Sequence, residues 1–203
     1  PGNMLDDCAN VNAGITGGTT TVGAAYDFGS GFTAAVGAQT GNTSVFTEEA
    51  ADAYALNAAY TADKYAVSLT YGVVEATTAA GVLTDEEDKF TAINAYYTPD
   101  SEGLPSISVG YEFGDIGGAA AGADEQASFM VGLTWDEVGP GSAGVALGHS
   151  NTNENADELY QYEAYYEYPV NDSMTITPLI YTLDAAGNVD DTTGMMVKTS
   201  FSF

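Results

Sequence analysis

The chain has 203 residues, enough for one domain, and sets 29 acidic residues against three lysines (Lys64, Lys89, Lys198), for a net charge of −26. That balance excludes nucleic acid as a partner, because neutralising phosphates takes cations this chain lacks, and it makes an anionic bilayer surface a poor one. No apolar run reaches the roughly 18 residues of a membrane-spanning helix, while 24 glycines and 14 tyrosines, with abundant alanine and threonine, favour strands and turns.

Residues 1–18 read as loop or as the remnant of an upstream strand, and strand rhythm begins at 19. Cys8 has no second cysteine in the chain. It is either a free thiol or the partner of a cysteine in a segment outside this sequence, the latter requiring an oxidising compartment. From there period-two alternation, the signature of a strand with two unlike faces, recurs to the end. In 19–28 Val22, Ala24, Tyr26 and Phe28 share a face, and in 32–40 Phe32, Ala34, Val36 and Ala38 do. The pattern continues with Tyr54, Leu56, Ala58 and Tyr60 in 53–62 and with Tyr65, Val67, Leu69, Tyr71 and Val73 in 65–75. Residues 89–98 are ambiguous, and Ile93, Ala95 and Tyr97 are taken as the apolar face. Ile107, Val109, Tyr111 and Phe113 mark 106–114, and Phe129, Val131, Leu133 and Trp135 mark 126–136. A weaker strand at 142–150 offers Val145 and Leu147, and 158–168 presents Tyr160, Tyr162, Ala164, Tyr166 and Tyr168. Strand 174–183 contains Pro178, which is expected at a bulge because proline removes a ladder hydrogen bond.

The last strand, 194–203, alternates Met195, Val197, Thr199, Phe201 and Phe203 against Met196, Lys198, Ser200 and Ser202. About ten residues with one lipid-compatible face is what a tilted membrane-spanning strand requires. Connections alternate in length: short near 29–31, 62–64, 99–104, 138–141 and 169–173, long at 41–52, 76–88, 115–125, 151–157 and 184–192. Short turns at one end and long loops at the other are the habit of transmembrane barrels, whereas a soluble sandwich varies its loops without that rhythm. The expected fold is therefore all-β: an antiparallel up-and-down transmembrane β-barrel with about eleven strands here. Eleven is odd, and single-chain bacterial barrels have even counts. Upstream strands outside this sequence, completing a barrel near 16, are the simpler resolution, and a twelfth strand within 9–16 is the other.

Two stretches resemble a known family: GPGSAGVALGHSN at 139–151 and YQYEAYYEYPVNDSMTITPLIYTL at 160–183, leading into the terminal TSFSF. Glu163-Ala164-Tyr165-Tyr166, Val170-Asn171-Asp172 and Ile176-Thr177-Pro178 carry the likeness. They resemble the end of the carbohydrate-selective porins, in particular the cyanobacterial members labelled iron-uptake or surface-layer-homology porins. The likeness covers about the last third of the chain. It implies a bacterial outer-membrane location, lipid and lipopolysaccharide as surroundings, homotrimers, and passive passage of small solutes and ions such as iron or sugars. The family's basic sugar contacts have no counterpart here, since the chain has no arginine.

No catalytic set is present: His149 is the sole histidine and reads as a rim or loop residue. If the aromatic faces look toward lipid, the opposite faces line a lumen. Asp27, Glu112, Asp136, Glu163 and Glu167 then point inward, with Lys198 as the inward cation. Carboxylates in a pore attract cations and repel anions. More than half of the acidic residues fall in the long loops, where Asp85, Glu86, Glu87 and Asp88, or Asp190 and Asp191, supply hard oxygen ligands for loosely bound divalent cations, without calcium-loop spacing. No other cofactor is expected. Tyr54, Tyr60, Tyr65, Tyr71, Tyr97, Trp135, Tyr160 and Tyr168 read as interfacial girdles. A cation-preferring porin is the expected function, and a structural or adhesive surface protein with acidic cation-binding loops is the alternative.

Overall fold

The computed structural model describes residues 20–40, 51–77, 83–119, 123–187 and 189–202. Eleven strands follow in chain order: β1 (Thr20–Gly29), β2 (Phe32–Thr40), β3 (Asp52–Thr61), β4 (Tyr65–Thr77), β5 (Leu83–Tyr97), β6 (Ser106–Asp115), β7 (Glu125–Val138), β8 (Gly141–Asn153), β9 (Tyr160–Asn171), β10 (Met174–Leu183) and β11 (Thr192–Phe201). They form one sheet in sequence order, each strand antiparallel to its neighbours. It is a pure up-and-down meander, and β1 and β11 are its two edges. Among the described residues there is no helix long and apolar enough to cross a membrane.

Register joins the alternating faces of all these strands. Tyr26 faces Ala34, Ala34 faces Ala58, Ala58 faces Leu69, and the row runs on through Ile93, Tyr111, Phe129 and His149 to Tyr160. Ile93 in that row settles the ambiguous segment, with Ala95 and Tyr97 on the same side. The row also drifts: Tyr26 lies near the turn that ends β1, whereas Tyr160 opens β9 at the opposite end of the sheet. The strands are therefore staggered as they succeed one another.

The turn from β1 to β2 shows how local chemistry sets that end. Gly29, Ser30 and Gly31 all have positive φ, at 77°, 55° and 88°, and Gly31 O accepts the Thr61 N–H at 2.9 Å. A Cβ on Gly31 would collide with the Thr61 carbonyl oxygen, so this position takes glycine on both counts. The expected rhythm of connections is blunted elsewhere. Strand β5 starts at Leu83, so Asp85, Glu86, Glu87 and Asp88 lie in a strand and not in a loop. Glu75 pairs with Glu87 and Val74 with Asp88. Ladder bonds are made by backbone, so an acidic stretch with no apolar face still extends a hairpin beyond the reach of the hydrophobic pattern. His149 likewise sits in β8 and not in a loop, 4% exposed, edge-on to Phe129 at 4.8 Å.

Pro178 makes no bulge. Its pairing with Val197 keeps the β10–β11 register continuous. Toward β9 the pairs resume from Ile176–Tyr168 to Leu179–Tyr165 in unchanged register, and the irregularity lies at Met174/Thr175. The lost N–H is absorbed without an extra residue. Residues 1–18, Cys8, the segment 9–16 and Phe203 lie outside the described residues.

Burial is inverted relative to a water-soluble sheet. The buried hydrophobics among the described residues are Ala76, Phe90, Ala92 and Leu179, while Val36, Leu56, Leu69, Tyr111, Ile180 and Val197 are among many large apolar side chains left exposed. The buried polar residues include Thr70, Glu112, Ser128, Glu163 and Thr177.

Candidate functional site: the inner face of the sheet

The face opposite the apolar row, called the inner face because it carries most of the buried residues, is built from small and polar side chains. One row of partners reads Ala25, Ala35, Asn57, Thr70, Ala92, Glu112, Ser128. Another reads Ala66, Tyr96, Ser108, Gly132, Ala146, Glu163, Tyr181, Gly194. Asn57 Nδ2 donates to Thr70 Oγ1 at 2.8 Å across the β3–β4 seam. Such short side chains keep the surface low, and Thr70, Ala92, Glu112 and Ser128 on the first row are buried.

The aromatic rings on this face obey the same restriction. Phe90 stands opposite Gly114, Tyr165 opposite Gly144 and Tyr181 opposite Gly194. In each pair a Cβ on the glycine would run into the ring of its partner. The rings therefore lie across the neighbouring strand in the space a side chain would occupy. Alternation alone did not reveal this arrangement. The signal available was a glycine inside a strand, which often marks a close approach.

The expected inward residues share the inner face but form no single ring. Glu112 and Glu163 lie on different rows, 2% and 6% exposed. A buried carboxylate demands polar partners, and Glu112 is flanked by Ala92 and Ser128. Asp27, Asp136 and Glu167 lie lower, at the turn end. Asp27 Oδ1 accepts the Gly29 N–H at 2.8 Å, so its side chain caps the β1–β2 turn. Asp136 is exposed beside the irregularity at Trp135/Val138 and borders a shallow cavity of about 210 Å³ with Asp100, Glu102 and Glu137. Glu167 is half-buried opposite Ser142.

Lys198 pairs with Thr177 on the inner face and is exposed. Continuing the β9–β10 register puts Glu167 in the same row, two strands from Lys198 and so about 10 Å away between backbones. The inner cation and the nearest inner carboxylate thus sit toward the same end. The other two lysines are paired, Lys64 with Asp100 and Lys89 with Glu87, the latter at 3.3 Å. Asp190 and Asp191 are exposed between β10 and β11, and Asp191 Oδ1 accepts the Ala185 N–H at 3.2 Å.

The exposed face carries its aromatics in two zones. At the turn end Phe32, Tyr60 and Tyr65 are in contact, with ring centroids 4.5 Å and 5.8 Å apart, and Tyr97 faces Tyr65. At the loop end Tyr111 and Phe113 stand 6.2 Å apart, and Phe129 and Tyr160 6.1 Å. Tyr71 sits well inside β4, which runs on to Thr77. A cavity of about 560 Å³ opens among the loop-end residues, bordered by Lys89, Tyr111, Asp115, Glu125 and His149.

The geometry defines the chain as an all-β antiparallel meander with one apolar exposed face and one small, polar, acidic face. The sequence matches no protein-family model and no curated relative.

Proposed function

We propose that the sheet forms the wall of a transmembrane β-barrel in a bacterial outer membrane, and that the barrel is a porin passing small hydrophilic solutes and ions down their gradients, with cations preferred. The observation that carries this reading is the division of faces along the whole meander: exposed apolar side chains in continuous cross-strand rows on one side, small polar and acidic ones on the other. In water, contiguous apolar patches beyond a few hundred Å² are rare on monomers. Against lipid the same surface is ordinary solvation.

Two further features support closure. The stagger of the cross-strand rows is what a barrel needs, because closing a sheet requires tilted strands and a fixed shear. β1 and β11 are both odd-numbered in an up-and-down order, so they run in the same direction. Antiparallel closure then takes an odd number of additional strands between them, giving the even count usual for such barrels. An open edge in hydrocarbon would leave backbone groups unsatisfied, at several kcal/mol each. The two aromatic zones suit the two interfaces, with rings in lipid and polar tips among headgroups.

Solute preference follows from the inner charges. Asp27, Glu112, Asp136, Glu163 and Glu167 outnumber Lys198 on that face, a balance that attracts cations. The resemblance of the last third adds inorganic ions such as iron, or sugars, as the solute class and a homotrimer as the assembly. Reversal potentials in a potassium chloride gradient across a planar bilayer test the reading. Cation preference is expected, reduced by Glu163→Gln and increased by Lys198→Glu. Anion preference would overturn the charge assignment, and absence of channels from a correctly folded full-length protein would overturn the pore.

A further inference from the structure

Asp52 and Glu75 come together at the loop end of β3 and β4, on the side of the apolar row and away from the inner carboxylates. Asp52 opens β3 in register with Thr40, and its N–H donates to Glu75 Oε2 at 2.9 Å. Glu75 in turn stands opposite Glu87 on β5. Asp52, Glu75 and Glu87 therefore continue one row of like charges across three strands, an arrangement that is unfavourable when nothing offsets it. Lys89 offsets Glu87 at 3.3 Å. Neither of the other two lysines reaches Asp52 or Glu75, for Lys64 is paired with Asp100 and Lys198 lies on β11.

Asp52 differs from the solvated loop acids in its burial. It is 4% exposed, and its Oδ1 has no hydrogen-bond partner, while Oδ2 lies 3.5 Å from the Tyr54 hydroxyl. A buried carboxylate oxygen with nothing bound to it bears its full desolvation cost. A single water would satisfy the oxygen but leave the repulsion from Glu75 in place. A small hard cation removes both costs at once.

We propose that Asp52 and Glu75 hold a divalent cation, calcium or magnesium, through Asp52 Oδ1 and the Glu75 carboxylate, with waters completing the shell. Magnesium is commonly held by one or two carboxylates with several waters retained, and calcium tolerates irregular oxygen cages. The cation ties the loop ends of β3 and β4 together where β3, β4 and β5 bring like charge into one row. The site goes beyond the pore reading and does not depend on it, since it lies on the opposite face.

Terbium luminescence excited through tyrosine, on the full chain folded in detergent micelles, tests the site, because Tyr54 is close enough to serve as the antenna. A saturable phase displaced by calcium is expected. Asp52→Asn and Glu75→Gln should each weaken it by about 10-fold or more. Tyr54→Phe should remove most of the sensitised emission while calorimetric calcium affinity changes little. The pair Asp190→Asn and Asp191→Asn should leave the phase unchanged. Circular dichroism identifies any variant that fails to fold, and Tyr54→Phe, which removes no charge, keeps the test decisive if one carboxylate variant does. Equal affinity in Asp52→Asn and the parent would overturn the proposal, as would a protonated-carboxyl infrared band at neutral pH that disappears in Asp52→Asn, which would mean the two acids share a proton instead. Neither result depends on conductance.

Discussion

The two faces of this sheet are made by the same strands and obey opposite rules. On the exposed face the side chains are large, and register packs them shoulder to shoulder: Leu69 beside Ile93, Ile93 beside Tyr111. On the inner face, one residue along each strand, the partners are Ser68, Asn94 and Gly110. Most apolar bulk lies where it is exposed and much of the polarity where it is buried, with Phe90 and Leu179 as apolar side chains buried on the inner face. That inversion follows if the medium around the sheet is hydrocarbon and the enclosed space is wet.

A lysine placed on either side of one backbone position gives the strongest test of this contrast. Leu69→Lys puts a charge in the middle of the exposed face, where a lipid environment would cost roughly 2–4 kcal/mol. Ser68→Lys puts the same charge one residue away on the inner face, where it should cost far less and should lower cation preference. Denaturant unfolding from lipid vesicles measures the first effect, and reversal potential the second. If the two variants lose equal stability, the faces see the same medium and the comparison fails.

The inner face makes its own demand, for flatness. Tyr165 lies over Gly144, and a Cβ there would meet the ring. Gly144→Ala should therefore push the ring off the sheet, with an overpacking cost of about 1–3 kcal/mol and a fall in single-channel conductance. Adding Tyr165→Ala should restore much of the conductance, because the obstruction is the ring. Gly132, on the same face, has its nearest contact at 3.6 Å from the Met130 sulfur, so Gly132→Ala should change little. Were Gly132→Ala as costly as Gly144→Ala, backbone freedom and not ring placement would explain these glycines.

Alternation made most of this legible in the sequence, because a strand with two unlike faces writes them into every second residue. All eleven strands, the residues that share the apolar face and the choice of Ile93, Ala95 and Tyr97 could be read that way. What escaped lay where alternation carries no information. Asp85 to Asp88 contain no apolar residue to alternate, so their place in β5 depends on ladder bonds the pattern does not encode. Pro178 passes through an unbroken register because its missing N–H removes a bond and not a residue. Asp27 is on the expected face, yet its oxygen caps a turn. The glycine–ring pairs, and the meeting of Asp52 with Glu75, are cross-strand facts that single-strand reading does not supply.

The smallest expected effect lies at the turn end, where neither face matters. Lys64 and Asp100 pair between two adjacent turns, both exposed, and the Lys64 carbonyl accepts the Thr98 N–H at 2.7 Å. Exposed ion pairs contribute little and are screened by salt. The hydrogen bond to the Asp100 carboxylate raises the pKa of the Lys64 ammonium above its ordinary 10.5. Because the folded value is the higher one, the pair's contribution is fully present below the unfolded value and disappears as pH rises through the folded value. Lys64→Gln should thus differ slightly from the parent in thermal unfolding at neutral pH and low salt, less in high salt, and not at all once the lysine is deprotonated in both states. A large loss at neutral pH that salt leaves untouched would mean that the turns depend on this contact, and that the ends of the sheet are less independent of its faces than the backbone bond from Thr98 implies.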